Sequence, residues 1–232
     1  MRTKDMTTQF TFKTQPSSAL GQGVYSVTDG AKLLRVSPSK LRYWFVGGKD
    51  RKPFFEPEYK VDNAPLLLSF HDLIDAFFAV QLRSHGLSLQ QLRRVYEGLK
   101  KYFGEKHAFC REDLRTDGET IFLHVVDDRG RQELVEVLSR QRCFPQVLLP
   151  FLKQLDFDVK RMASRWNIAR GVVVDPAISY GQPVVLGSCI SAEILARQWR
   201  ANGRNMDRVA AFWDIPQSQV ESAVRFIEGM AA

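Results

Sequence analysis

The sequence predicts an α+β chain that is mainly helical. Three observations predict it. Apolar residues recur at helical spacing beside capping signals across residues 28–46, 69–103 and 191–228. A shorter region, 105–143, combines β-branched residues with two glycine turns. The 232 residues are 44% hydrophobic and 25% charged, which suits one large or two small domains with a core and excludes global disorder.

The elements follow in order. Residues 1–22 are polar, with QPSSALGQG near their end, and read as a flexible arm. Thr28 is placed as the cap of a short helix carrying Ala31, Leu33 and Leu34, and Arg35-Val36 makes the turn. Ser37-Pro38 then starts a second helix, a cap followed by proline at the first helical position, and Gly47-Gly48 ends it. KDRKPFFEPEYKVDNAP, with prolines at 53, 57 and 65, suits a short hairpin or extended loop. Ser69 with Asp72 and Ser88 with Gln91 are capping boxes that open two longer helices. His85-Gly86 separates the two helices, and Gly104 ends the second. From 105 to 143 the sequence predicts a small antiparallel sheet with turns at Asp117-Gly118 and Arg129-Gly130. Pro145 to Leu155 reads as a short helix, and GVVVDPAISYGQPVVLGSCI as extended chain. Ser191 to Glu228 divides into three helices, broken at NGRN and DIPQ. Four regions result: 1–22, 23–104, 105–170 and 171–232.

Composition narrows the function classes. A net charge of +7 and a pI near 9.4 favour an anionic partner. The first ten residues lack the apolar run of a secretory signal, and no window reaches membrane-spanning length, so a cytoplasmic chain with no membrane partner is expected. Cys110, Cys143 and Cys189 are odd in number and far apart, which suits neither a disulfide framework nor zinc spacing. Phosphate-loop, serine-hydrolase and zincin motifs are all missing. His71, His85, His107 and His124 are scattered, and His71 at a helix start reads as a surface residue. His107, Cys110 and Asp113 cluster loosely without ligand spacing. No enzyme, cofactor or metal site is expected.

Residues 25–52 carry the strongest functional pattern. On the second helix Leu41, Trp44 and Phe45 face one way, as core; Ser39 and Tyr43 face the other, with Lys40 and Arg42 on the flanks. Between 35 and 52 six basic residues stand against one acid, Asp50. Hydroxyls, a tyrosine and cations suit base edges and phosphates. The predicted DNA contacts are therefore Ser37, Ser39, Lys40, Arg42, Tyr43, Lys49, Arg51 and Lys52. YSVTDGAKLLRVSPSKLRYWFVGG resembles the start of a MerR-type winged helix-turn-helix domain, and LSFHDLIDAFFAVQLRSHGLSLQQLRRVYEGL resembles that family's next two helices. The likeness spans residues 23–104. It implies a groove-entering helix within Val36–Tyr43 and a wing after Gly48. MerR-type members run on into a long dimer helix, whereas here the helical pattern stops near Gly104. Effector sensing of that kind is thereby put in doubt.

A second resemblance lies at the other end. ISYGQPVVLGSCISAEILARQW with VAAFWDIPQSQVESAVRFI is similar to a domain found in bacterial antitoxins, matching at Gly181, Pro183, Val184, Val185, Gly187 and Ile190, then at Val220, Ala223, Phe226 and Ile227. Ser188-Cys189 departs from it. The individual glycines and proline also suit a plain turn before a core strand. With the winged part, the whole chain after the arm resembles VapB-like antitoxins. The resemblance implies an antitoxin of a type II toxin-antitoxin system, which neutralises a PIN-like ribonuclease toxin and binds its operator DNA, as a homodimer on an inverted repeat. The C-terminal three-helix unit is itself helix-turn-helix-like. Its last helix exposes Gln217, Gln219, Glu221, Ser222, Arg225 and Glu228, one cation against two acids, so DNA reading is assigned to the N-terminal unit. Arg161, Arg165 and Arg170 in VKRMASRWNIAR are candidates to cover an acidic toxin site. Two alternatives stay open: a stand-alone MerR-like regulator sensing a small ligand, and a protein-binding adaptor that reads no DNA.

Overall fold

The computed structural model describes residues 21–49, 51–59, 64–125 and 148–231. Nearly all of the expected arm, the Arg129-Gly130 turn and Cys143 lie outside them. The described chain is α+β and mainly helical, with two small antiparallel sheets. No helix among the described residues is long and apolar enough to cross a membrane.

β1 (Tyr25–Ser26) pairs with β2 (Leu67–Leu68), Tyr25 opposite Leu68. The pair brings the start of α1 (Val27–Leu34) close to that of α3 (Phe70–Ser84). The cap of α1 is Ser26, not Thr28. The Ser26 hydroxyl accepts the Asp29 N–H at 3.1 Å and donates to the Asp29 carboxylate at 2.6 Å. Only Ser26 has the extended backbone a cap needs, while Thr28 is already helical. α2 (Pro38–Val46) follows a three-residue turn. It starts at Ser37-Pro38 and ends at Gly47, where φ is +80°. A Cβ at Gly47 would stand 2.4 Å from the Arg51 carbonyl oxygen, so glycine is required there. α3 and α4 (Leu89–Phe103) begin with the two capping boxes, both fully formed, and Gly104 closes α4 in the left-handed region.

The sheet expected across 105–143 is absent over 113–125, which forms α5 (Asp113–Val125) after a 3-10 turn at Ala108–Cys110. Leu114, Gly118, Ile121 and Phe122 are buried at helical spacing, and α5 packs on α4. That apolar stripe outweighs the strand preference of its β-branched residues. The Asp-Gly signal survives as a kink, with Asp117 at φ −123°. The first residues of the expected helix over 145–155 lie outside the described ones; within the rest, α6 (Leu149–Leu152) is helical and Leu155 already begins β3 (Leu155–Phe157).

A four-stranded antiparallel meander continues through β4 (Ala163–Ala169), β5 (Val172–Val174) and β6 (Val184–Val185) in that order. It crosses residue 170, so the regions 105–170 and 171–232 share one sheet. Three helices follow, α7 (Ala192–Ala201), α8 (Met206–Trp213) and α9 (Gln217–Ala231), with breaks where the sequence places them. One apolar cluster runs from Tyr25 to Val174, and a second joins Val172 and Val185 to α7, α8 and α9. Leu33 and Ile168 pack against both clusters, so the two are continuous. On α9, Gln219 and Ser222 are half-buried rather than exposed as expected.

Candidate nucleic-acid interface

The buried face of α2 orients its polar face. Trp44 and Phe45 are core, as expected, at 2% and 3% exposure. Phe45 lies 5.3 Å and Trp44 6.4 Å from the Phe55 ring. The amides of Phe54 and Phe55 both donate to the Trp44 carbonyl, at 2.7 and 2.9 Å, tying the following segment to the helix. Ser39, Lys40 and Arg42 consequently point to solvent and Tyr43 is half-buried. Ser37 is exposed, but its hydroxyl accepts the Lys40 N–H at 3.2 Å as the helix cap. Lys40 also stands over the Trp44 ring at 5.4 Å.

The chain then reverses through a Gly48–Arg51 bridge, which leaves Lys49, Arg51 and Lys52 exposed. Tyr43, Arg51 and Lys52 come together on a groove of about 480 Å³, with Leu89, Gln90 and Arg93 from the first turns of α4 opposite. Ser37, Ser39, Lys40, Arg42 and Lys49 lie outside that groove on the same α2-and-reversal surface. Arg93 was not among the expected site residues. Its guanidinium donates to the Pro53 carbonyl at 3.0 Å and the Lys52 carbonyl at 3.1 Å, and stacks over Phe54. It therefore braces the basic segment and adds a charge to the groove. The LRR of α4 was the only sequence signal, and nothing in it points back across forty residues.

The three arginines expected to face a toxin have different surroundings. Arg161 pairs with Asp113 at 3.0 Å and Glu112 at 3.6 Å. Arg165 pairs with Asp156 at 2.6 Å. Arg170, at the β4–β5 turn, borders a cleft of about 280 Å³ between α1, α3, β4 and α9.

A buried polar cluster lies beneath the loop that follows the basic segment. Asp75, inside α3, accepts from the Tyr96 hydroxyl at 2.7 Å, His107 Nδ1 at 2.9 Å and the Phe109 amide at 3.1 Å. Asp72 accepts from the amides of Ser69 and Glu58, at 3.0 and 2.9 Å, capping α3 and holding the loop. His71 is not a surface residue: it is half-buried, with Nε2 2.9 Å from the Ala163 carbonyl. Glu58 Oε2 lies 3.6 Å from His107 Nε2. The nearby His107 holds Glu58 down at about 2, against the opposing effect of burial. Burial lowers the His107 pKa, but Asp75 and Glu58 outweigh it and raise it to about 10. Burial pushes Asp72, Tyr96 and Cys110 upward. The loose His107, Cys110 and Asp113 grouping is divided: Cys110 faces Asp75, while Asp113 turns to Arg111 and Arg161.

No protein-family model matches the chain. Over 225 residues it is 25% identical to a Mycobacterium tuberculosis protein named "Putative antitoxin VapB45", covering 87% of this chain and 92% of that one. The X-ray crystal structure of Rv2018 from Mycobacterium tuberculosis has the same fold, with a TM-score of 0.70 at 24% identity, covering 86% of this chain and 96% of that one.

Proposed function

We propose that this chain is the antitoxin of a type II toxin-antitoxin pair, which neutralises a PIN-like ribonuclease toxin and binds the operator of its own operon. The observation that carries the reading is likeness to a protein named as an antitoxin along nearly the whole of both chains. It supports a regulatory, non-enzymatic role. The exposed cations on α2, the reversal at Gly48–Arg51 and the groove bordered by Arg93 support operator binding by a winged helix-turn-helix formed from residues 23–104. In that reading Ser39, Arg42 and Tyr43 approach base edges, and Lys40, Lys49, Arg51 and Lys52 take phosphates. A homodimer on an inverted repeat is the expected state. Arg161 and Arg165, already paired within the chain, are weaker toxin contacts than Arg170.

The test is recovery of the tagged full chain from nuclease-treated cells of its own source, with partners identified by mass spectrometry. A small nuclease recovered in near-equal amount, whose toxicity the chain suppresses on co-expression, is the expected result. Recovery of the chain alone, with no toxicity to suppress, overturns the antitoxin reading and leaves a stand-alone DNA-binding regulator.

A further inference from the structure

We propose that Glu58, His71 and His107 form a binding site for a divalent transition-metal ion of the zinc class. One ligand atom from each lies within 4.8 Å of the other two. Ligands around a tetrahedral zinc, bonded at about 2.0–2.2 Å, stand about 3.3–3.6 Å apart. The Glu58 Oε2 to His107 Nε2 separation is 3.6 Å, already that of two ligands sharing one ion.

Two further observations point at a place for an ion. Glu58 Oε2 and His107 Nε2 are both buried and both lack a hydrogen-bond partner, although they face each other. His107 is 7% exposed as a residue, and its Nε2 is itself a buried atom. A protonated imidazole would aim its N–H at the Glu58 carboxylate from 3.6 Å, beyond normal hydrogen-bond length, so the pair by itself leaves both atoms imperfectly satisfied. An ion between the two atoms satisfies both. The second observation is the set of groups behind the ligands. His107 Nδ1 donates to Asp75, and His71 Nε2 donates to the Ala163 carbonyl, which can only accept. Each bond fixes its ring, and an ion that displaces the remaining His107 proton would find the other nitrogen, Nε2 of His107 or Nδ1 of His71, with a lone pair to offer. Carboxylate and carbonyl partners of this kind stand behind metal-binding histidines generally.

Two nitrogens and one carboxylate oxygen suit zinc, cobalt or nickel better than magnesium or calcium, which take oxygen ligands. With three protein ligands, the fourth position is left to water. Glu58 sits on the loop after the basic segment, His71 at the first turn of α3, and His107 just before the 3-10 turn. An ion would thus clasp loop 53–59 to α3 and to the chain leaving α4. The site does not depend on what the basic surface binds.

The experiment uses the full chain with Cys143→Ser and Cys189→Ser, which leaves Cys110 as its one thiol. After chelator treatment it is titrated with zinc chloride and with cobalt chloride. One ion per chain is expected, with the visible cobalt absorption of a four-coordinate nitrogen–oxygen site and a raised melting temperature. Glu58→Gln and His71→Gln lie at half-buried positions, and each should weaken binding by more than about 100-fold, since loss of a partner behind a ligand alone costs about 10- to 100-fold. Nitrogen-15 spectra of the unsubstituted ligand set give a reading that needs no variant. Zinc should shift the ring signals of His71 and His107 and leave those of His85 and His124. No bound ion, binding that survives both substitutions, or shifts at His85 or His124 instead would overturn the site.

Discussion

Tyr25 and Gly181 lie 156 residues apart, yet the tyrosine hydroxyl donates to the glycine carbonyl at 2.9 Å inside the protein. A Cβ at Gly181 would come 2.1 Å from that hydroxyl, and the residue has φ +81°. Tyr25→Phe should cost about 1–3 kcal/mol, the penalty for a buried acceptor left unpaired. Gly181→Ala should cost more, because clash and backbone strain add to the lost bond. Urea unfolding midpoints of the two variants check the order. If Gly181→Ala proves as stable as Tyr25→Phe, the close contact is not what requires glycine there. Burial raises the Tyr25 pKa, so this hydroxyl stays protonated and able to donate throughout the neutral range.

At the scale of elements, the basic surface is built from two pieces that only a third holds together. Arg93 on α4 grips the Lys52 and Pro53 carbonyls from forty residues away. Arg93→Lys keeps the charge but cannot form both bonds in the same fork. In the proposed DNA-binding reading, both Arg93→Lys and Arg93→Ala should weaken operator binding if bracing matters, whereas Arg93→Lys should bind as the parent does if only charge matters. Arg42→Ala answers a different question. As a base contact it should cost about 1–3 kcal/mol and relax one operator position, whereas as a phosphate contact it should lower the salt slope by about one and spare sequence preference. Binding isotherms across a range of salt concentrations separate these outcomes. The capping boxes of α3 and α4 were legible because each is confined to four residues. α5 was misread because its β-branched residues and Asp-Gly pair suggest strand and turn when α4, its packing partner, is out of view.

At the scale of the molecule, the two apolar clusters meet at Leu33 and Ile168, and the meander links 155–169 to 172–185. Shared burial of this kind predicts one cooperative unfolding transition rather than independent melting of the parts. Circular dichroism and tryptophan fluorescence, from Trp44 and Trp166 in the first cluster and from Trp199 and Trp213 beside the second, should give coincident curves; separated midpoints would show independent domains. Trp166 is 2% exposed, 4.7 Å from Phe77, and opposite both Leu155 and Val174 in the sheet. Trp166→Ala should cost about 3–5 kcal/mol, as large aromatic deletions in a core do.

The sequence by itself determined what depends on near neighbours. Caps at Ser37, Ser69 and Ser88, stops at Gly47 and Gly104, the apolar face of α2 and the breaks between the last three helices all rest on bonds within a turn or two of the chain. Tertiary structure alone decided which distant groups share a place. Arg93 reaches the basic segment, Tyr25 meets Gly181, and Glu58, His71 and His107 converge from a loop, a helix start and a turn. No local spacing records such meetings, because they arise when separate apolar faces are buried against one another and carry their polar residues along.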